Sequence, residues 1–360
     1  MISSNRLRPL VLVVLALGFA RVAFAQAPGA ESASLDIFGV VLGVAGGLAL
    51  FLYGVTVLAD ALRDLAGDRV RSIMARLTTN RAAGIATGTV ATTILDSSSV
   101  TIIMVIAMVD AGILTFVQSL GVVMGANIGT TISSQIIAFD IDRYAPLALV
   151  AGLGLQMMGR TETWRNGGRV LLGMGLVFFG LGAMDLAVEP LSQQAGFAEW
   201  MTRLENPLLG AAIGALVTII LQSSSATLGV VITLAGQGLL TLPAGIALML
   251  GAEIGTCADT LLATLGRSRA ALRAGVFHLL FNVATVAIGL MLTTQIASVA
   301  QAVTPGAGVA RYVANAHVLF NVAGVLLGVA FVPWIARALE RLIPDRRPPA
   351  VTREPSPSAP

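Results

Sequence analysis

Two runs of three serines, Ser97-Ser98-Ser99 and Ser223-Ser224-Ser225, each lie in the middle of a long apolar stretch. Hydroxyls in such surroundings are costly unless they and any freed backbone groups find partners. At the tip of a helical hairpin both needs are met. Serine is a preferred N-cap, and the half-helix after it turns unpaired amides and a partial positive charge toward the tip. An oxyanion fits such a helix end. Hydroxyls and unwound carbonyls are also the hard oxygen ligands a small cation such as sodium takes, so a pair of tips could hold an anion and cations together. The competing structural reading is that the serines merely bridge packed helices.

The runs belong to an internal repeat. Asp96-Ser97-Ser98-Ser99-Val100-Thr101 matches Gln222-Ser223-Ser224-Ser225-Ala226-Thr227 at an offset of 126 residues (222 − 96). Gly125-Ala126-Asn127-Ile128-Gly129-Thr130-Thr131 matches Gly251-Ala252-Glu253-Ile254-Gly255-Thr256-Cys257 at the same offset (251 − 125), and Gly54 pairs with Gly180. The duplicated unit covers about 50–131 and 176–257. Its glycine spacing suits close helix contact. The polar residues embedded there, Asn127, Thr130, Thr131, Glu253 and Thr256, favour instead a break in each copy that lines the same cavity. Cys257, aligned with Thr131, reads as a packed thiol.

The elements that carry these tips must be membrane helices. Of 360 residues 56% are hydrophobic and 11% charged, with a mean hydropathy of +0.86, which excludes an ordinary soluble domain. Leu35–Ala59, Val170–Leu191 and Val313–Ile335 approach the roughly 20 residues a helix needs to span the hydrocarbon core. The pI near 9.7 does not point to nucleic acid, because the 22 basic residues, all arginine, are spread thinly among apolar segments. A single cysteine permits no internal disulfide, and no Cys/His cluster suggests a transition metal or a cofactor. Residues 1–27 have the layout of a secretory signal peptide: Arg6 and Arg8, an apolar run from Leu10 to Ala20, then Ala23-Phe24-Ala25. Residues 28–343 form the membrane domain, and 344–360, rich in Pro, Ser and Arg, read as a disordered cytoplasmic tail.

Arginine placement sets the topology. The first span enters the cytoplasm at Arg63, Arg69, Arg71, Arg76 and Arg81. If Ala82–Val109 and Leu208–Leu239 are re-entrant hairpins, Arg160, Arg165 and Arg169 fall inside, as do Arg267, Arg269, Arg273 and the C-terminal arginines, while Glu199 and Glu205 fall outside. Single crossings would reverse this. The expected fold is therefore an all-α polytopic membrane protein with two inverted-topology repeats, about 36–159 and 170–292, each with a re-entrant helical hairpin and broken helices. The remaining crossings fall near 113–139, 144–159, 243–265 and 274–292, with a last span at 313–335. Such inverted repeats place a transporter's site near the midplane.

The QSSSAT of 222–227, the GANIGTT of 125–131 and the FLYG of 51–54 resemble the bacterial sodium/phosphate cotransporter family and its animal type II relatives, over roughly residues 36–335. The resemblance implies sodium-driven uptake of inorganic phosphate by alternating access, in a bacterial inner membrane with a periplasmic N-terminus and a cytoplasmic C-terminus. It implies substrate binding by Ser97, Ser98, Ser99, Ser223, Ser224 and Ser225. Ion coupling, with sodium as the coupled ion, then falls to Asp96, Gln222, Thr101, Thr227, Asn127, Thr130, Thr131, Glu253 and Thr256. A homodimer is implied too, with Gly39, Gly43 and Gly47 as interface hints, and a separate PhoU-like regulator, since the chain stops shortly after its last span. Asp96 and Glu253 depart from the family's usual glutamine and asparagine. Either acid strengthens cation binding if ionised, or carries a proton if desolvated; Asp96 could also be a plain N-cap. His278 and His317, in His-Leu-Leu-Phe-Asn and His-Val-Leu-Phe-Asn, are expected to hydrogen-bond between helices. Three alternatives remain: a proton-coupled or different-anion transporter of the same fold; an uncoupled channel or receptor of the same shell; and an intramembrane serine hydrolase, which lacks a GxSxG elbow and a base shared by both runs.

Overall fold

The computed structural model describes residues 36–139, 142–193, 201 and 203–345. The signal-peptide segment, Glu199 and residues 346–360 of the tail lie outside them. All regular elements among the described residues are helical. In chain order they are α1 (Ile37–Leu77), α2 (Arg81–Leu95), α3 (Ser98–Asp110), α4 (Phe116–Ile137), α5 (Ala145–Met158), α6 (Glu162–Val188), α7 (Pro207–Leu221), α8 (Ser224–Gly236), α9 (Leu242–Gly255), α10 (Cys257–Leu262), α11 (Arg269–Met291), α12 (Thr293–Val303), α13 (Val309–Gly328) and α14 (Val332–Leu342), with short 3-10 turns at Asp142–Tyr144 and Glu189–Gln193. Six segments are long and apolar enough to cross a bilayer: α1, α4, Glu162–Leu191, Leu242–Leu262, α11 and α13. The chain is a multi-pass membrane protein. Its large exposed residues agree, with Leu147, Val150 and Leu208 about 70% exposed on faces that only lipid can solvate.

Local chemistry repeats with the sequence. Asn80 and Asn206 cap α2 and α7, Ser97 and Ser223 cap α3 and α8, and Thr115 and Thr241 cap α4 and α9, each pair 126 residues apart. Packing repeats too. A Cβ on Gly54 would meet the Val177 amide at 2.6 Å, and one on Gly180 the Phe51 amide at 2.5 Å, so α1 and α6 cross with reciprocal contacts. A Cβ on Gly125 or Gly251 would collide with the Ile85 or Ala211 carbonyl, again 126 apart. Here α4 lies backbone to backbone on α2, and α9 on α7.

Several expectations need correction. The first apolar span, Leu35–Ala59, belongs to a longer helix that runs 41 residues to Leu77, roughly 60 Å. Nothing in 60–77 breaks a helix, Val70 and Met74 bury against the first hairpin, and Asp64 pairs with Arg169 at 2.5 Å. The arginine-bearing segment up to Arg76 is thus part of the same helix. The 144–159 crossing is a helix of 14 residues, about 21 Å and shorter than a span. The 313–335 run divides after Gly328, and α14 starts at Val332 with Pro333 in its first turn, where the missing N–H cannot continue the ladder of α13. No break occurs at 125–131: α4 is continuous there, and the glycines serve close contact. In the second copy a single turn at Thr256 separates α9 from α10. Gly43 and Gly47, read as interface hints, face Ala187, Gly180 and Met184 of α6 within the chain.

Candidate functional site: two serine-capped helix breaks

Each serine run sits at a helix break. Asp96 (φ 51°, ψ 30°) and Gln222 (φ 53°, ψ 27°) are the two non-glycine residues with positive φ among the described residues, closing α2 and α7 in the left-handed region. Asp96 is thus the C-cap of the preceding half-helix rather than an N-cap. Ser97 and Ser223 follow with extended backbone, and their hydroxyls accept from the Val100 and Ala226 amides at 3.2 and 3.1 Å. The chain folds back at the break, because Thr218 Oγ1 on α7 donates to Thr227 Oγ1 on α8 at 2.8 Å across it. Holding non-glycine residues at positive φ costs on the order of 1–3 kcal/mol each, a cost borne where function demands the geometry.

The tips open on two cavities that share part of their lining at the 126-residue offset, the first being walled further by α1 and α6. The first, about 180 Å³, is lined by Thr93, Asp96, Ile132 and Ser133, among others. The second, about 60 Å³, is lined by Ile219, Gln222, Ala258 and Asp259, their counterparts 126 residues on. Each holds one carboxylate, on the hairpin tip in the first copy and on α10 in the second. Ser133 donates to Asp96. The Thr260 amide donates to Asp259 at 2.7 Å, and the Ser99 hydroxyl sits beside the same carboxylate.

The copies also complete one another. Ser225, from the second tip, lines the first cavity. Ser99, from the first tip, shares a hydrogen bond of 3.1 Å with Thr256 at the second. The structure therefore brings Asp96, Ser99, Gln222, Ser225 and Thr256 to the cavities. Ser98 and Ser224 are buried in the first turns of α3 and α8, and Thr101 and Thr227 brace the tips by donating to the Ser97 and Ser223 carbonyls at 3.0 and 3.1 Å.

Asn127, Thr130, Thr131 and Glu253 lie elsewhere, in a buried polar seam. Thr130 and Thr131 donate to carbonyls of their own helix, and Asn127 donates to Asn282 at 2.6 Å. Glu253 Oε1 meets His317 Nε2 at 2.8 Å and Asn321 Nδ2 at 2.9 Å. His278 reaches Thr260 at 2.9 Å and His317 reaches Ser134 at 2.8 Å, and these two partners are themselves 126 apart. The interhelical bonding expected of the histidines is present, with a symmetry that the sequence reading did not give them. Cys257 is a buried thiol beside the Glu253 carbonyl, as expected. Asp259 and Ser133 were missed. The matched motifs stop at 131 and 257, and carrying the same offset two residues further would have found both.

The Na+/Pi-cotransporter family model matches residues 50–186 and 191–334. The chain belongs to that family. Its members are transporters, which retires the hydrolase reading. The chain is 28% identical to an uncharacterized Bacillus subtilis protein, YqeW, over 71% of this chain and 83% of that one. It is 29% identical to the putative inorganic phosphate export protein YjbB of Escherichia coli K12, over 65% of this chain and 44% of that one, so it spans less than half of that relative's length. Human sodium-dependent phosphate transport protein 2B is 35% identical over 25% of this chain and 14% of its own. No solved structure matches.

Proposed function

We propose that the protein is a sodium-coupled transporter of inorganic phosphate that works by alternating access in a bacterial inner membrane. The carrying observation is that each tip reaches the other copy's cavity: Ser225 lines the first, and Ser99 bonds to Thr256 and sits beside Asp259, which line the second. Each tip sets the carbonyl end of one half-helix (α2 or α7) beside the amide end of the next (α3 or α8). Cations favour the first kind of end and anions the second. Sodium is therefore assigned to Asp96, Ser133 and Ser225 at one tip and to Gln222, Thr256, Asp259 and Ser99 at the other. Phosphate is assigned to the amides and hydroxyls of Ser97–Ser99 and Ser223–Ser225. A bound cation at each carboxylate would offset its repulsion of the dianion, which makes the two ligands bind together.

Inverted orientation of the copies, a periplasmic N-terminus and a cytoplasmic C-terminus belong to the same reading. It is supported by the reciprocal crossing of α1 and α6 and by the arginine distribution. Reconstituted Ser99→Ala and Ser225→Ala should each lower sodium-driven phosphate uptake at least about tenfold, a loss of roughly 1.4 kcal/mol. Rates equal to wild type in both would defeat the assignment. A second reading, export rather than uptake, is favoured by the similarity to YjbB; the direction of net flux under an imposed sodium gradient separates the two.

A further inference from the structure

Packing within the chain accounts for only one of the two apolar faces of α14. Residues 329–331 alone separate its start at Val332 from the end of α13 at Gly328, so it begins where a membrane span ends. One face carries Val332, Ala336 and Leu339 into the core cluster that also holds Ile106, Phe116 and Phe277. A second face is left uncovered. Phe331, Trp334, Ala338 and Leu342 recur at three- and four-residue steps, which puts them on one side, and the three large ones are each more than half exposed. The Phe331 and Trp334 rings lie 5.6 Å apart. One turn before Phe331 the span itself exposes Leu326 and Leu327 in the same way.

The charges of this segment are divided between the two sides. Glu340 lies 3.9 Å from Arg273 of α11, and Asp345 pairs with the same guanidinium, which is buried against the Phe116 ring. Both acids are therefore engaged toward the protein. Arg337 and Arg341, four residues apart on the solvent side, are exposed, and neither pairs with a carboxylate among the described residues. Arg337 Nε donates to the Pro333 carbonyl at 3.1 Å, and its two Nη groups remain for an outside acceptor. Aromatic and aliphatic side chains on one face, with arginines along its border, seat a helix at the boundary between acyl chains and headgroups.

We propose that α14 is an interfacial helix that binds anionic phospholipid. Phe331, Trp334 and Leu342 enter the acyl boundary, and Arg337 and Arg341 hold the headgroup phosphates, whose paired oxygens match the guanidinium fork. The site is separate from the tip cavities and independent of what the protein transports.

The test uses full-length protein in phosphatidylcholine vesicles in which a minor fraction of the lipid is brominated, as phosphatidylglycerol in one set and as phosphatidylcholine in the other. Quenching of Trp334, read as the difference between wild type and Trp334→Phe, should be stronger with the brominated phosphatidylglycerol. In Arg337→Gln/Arg341→Gln that lipid preference should fall, by about fivefold for each arginine removed from an anionic surface. Equal quenching by the two lipids in wild type, or a preference unchanged in the double variant, would overturn the proposal. So would a Trp334 that neither lipid quenches, the result expected if a protein surface covers the face. Should the double variant not fold, salt decides with wild type alone: the preference should shrink as sodium chloride is raised, because exposed charges are screened, and a salt-independent preference overturns the proposal.

Discussion

Thr218 and Thr92 occupy the same place in the two copies and differ in one bond. Thr218 donates to Thr227, whereas the Thr92 hydroxyl, fully buried, has no hydrogen-bond partner. Thr218→Val should therefore cost about 1 kcal/mol of stability, and Thr92→Val should be neutral or stabilising. Denaturant melts of the two variants in detergent read the difference directly. Asp259→Asn keeps the shape of the second cavity and removes its charge. It should raise the sodium concentration for half-maximal phosphate uptake about tenfold, roughly 1.4 kcal/mol; an unchanged sodium dependence would take Asp259 out of the coupling site. At this scale the tips were legible because residue type and spacing repeat together. Glu253 was not, because its departure from the first copy's Asn127 looked like a change of ligand. What it changes is an interhelical contact, and that depends on His317, which lies outside both matched motifs and has no sequence signal linking it to position 253.

The half-helices exist because serine, at Ser97 and Ser223, caps a new helix immediately after a residue that has left the previous one. Their depth is set by neighbouring helices that approach without side chains in the way. Gly125→Ala and Gly251→Ala would each drive a methyl group into a carbonyl of the facing half-helix, at Ile85 and Ala211. Overpacking of this kind costs about 1–3 kcal/mol. The two variants should lower the melting temperature by similar amounts, since the copies share the contact, and a penalty in only one would mean that the second contact yields. Hairpin limits read from sequence fell within one to three residues of α2–α3 and α7–α8, because apolar runs bounded by Arg81 and Asp110, or by Pro207 and Gly238, leave little freedom. Helix continuity was less legible. Hydropathy marks where α1 leaves the bilayer, and the helix itself persists to Leu77 because Val70 and Met74 find a tertiary surface that no local pattern announces.

Across the whole molecule, each copy's tip reaches the other copy's cavity: Ser225 lines the first, and Ser99 bonds to Thr256 at the second. Ser225 lines the first cavity together with Asp96, and Ser99 lies beside Asp259 at the second, so each tip is in contact with the other copy. The repeat and the all-helical class were legible in sequence because they depend on period and composition. The reach of one tip to the other copy was not, because it is a contact between residues 99 and 256 that only packing creates. The most direct test of the account is labelled phosphate flux into proteoliposomes under an inward sodium gradient, an inward proton gradient, or neither. Accumulation driven by sodium and absent without a gradient is the predicted result; accumulation that ignores sodium, or flux that only equilibrates under every condition, would contradict it.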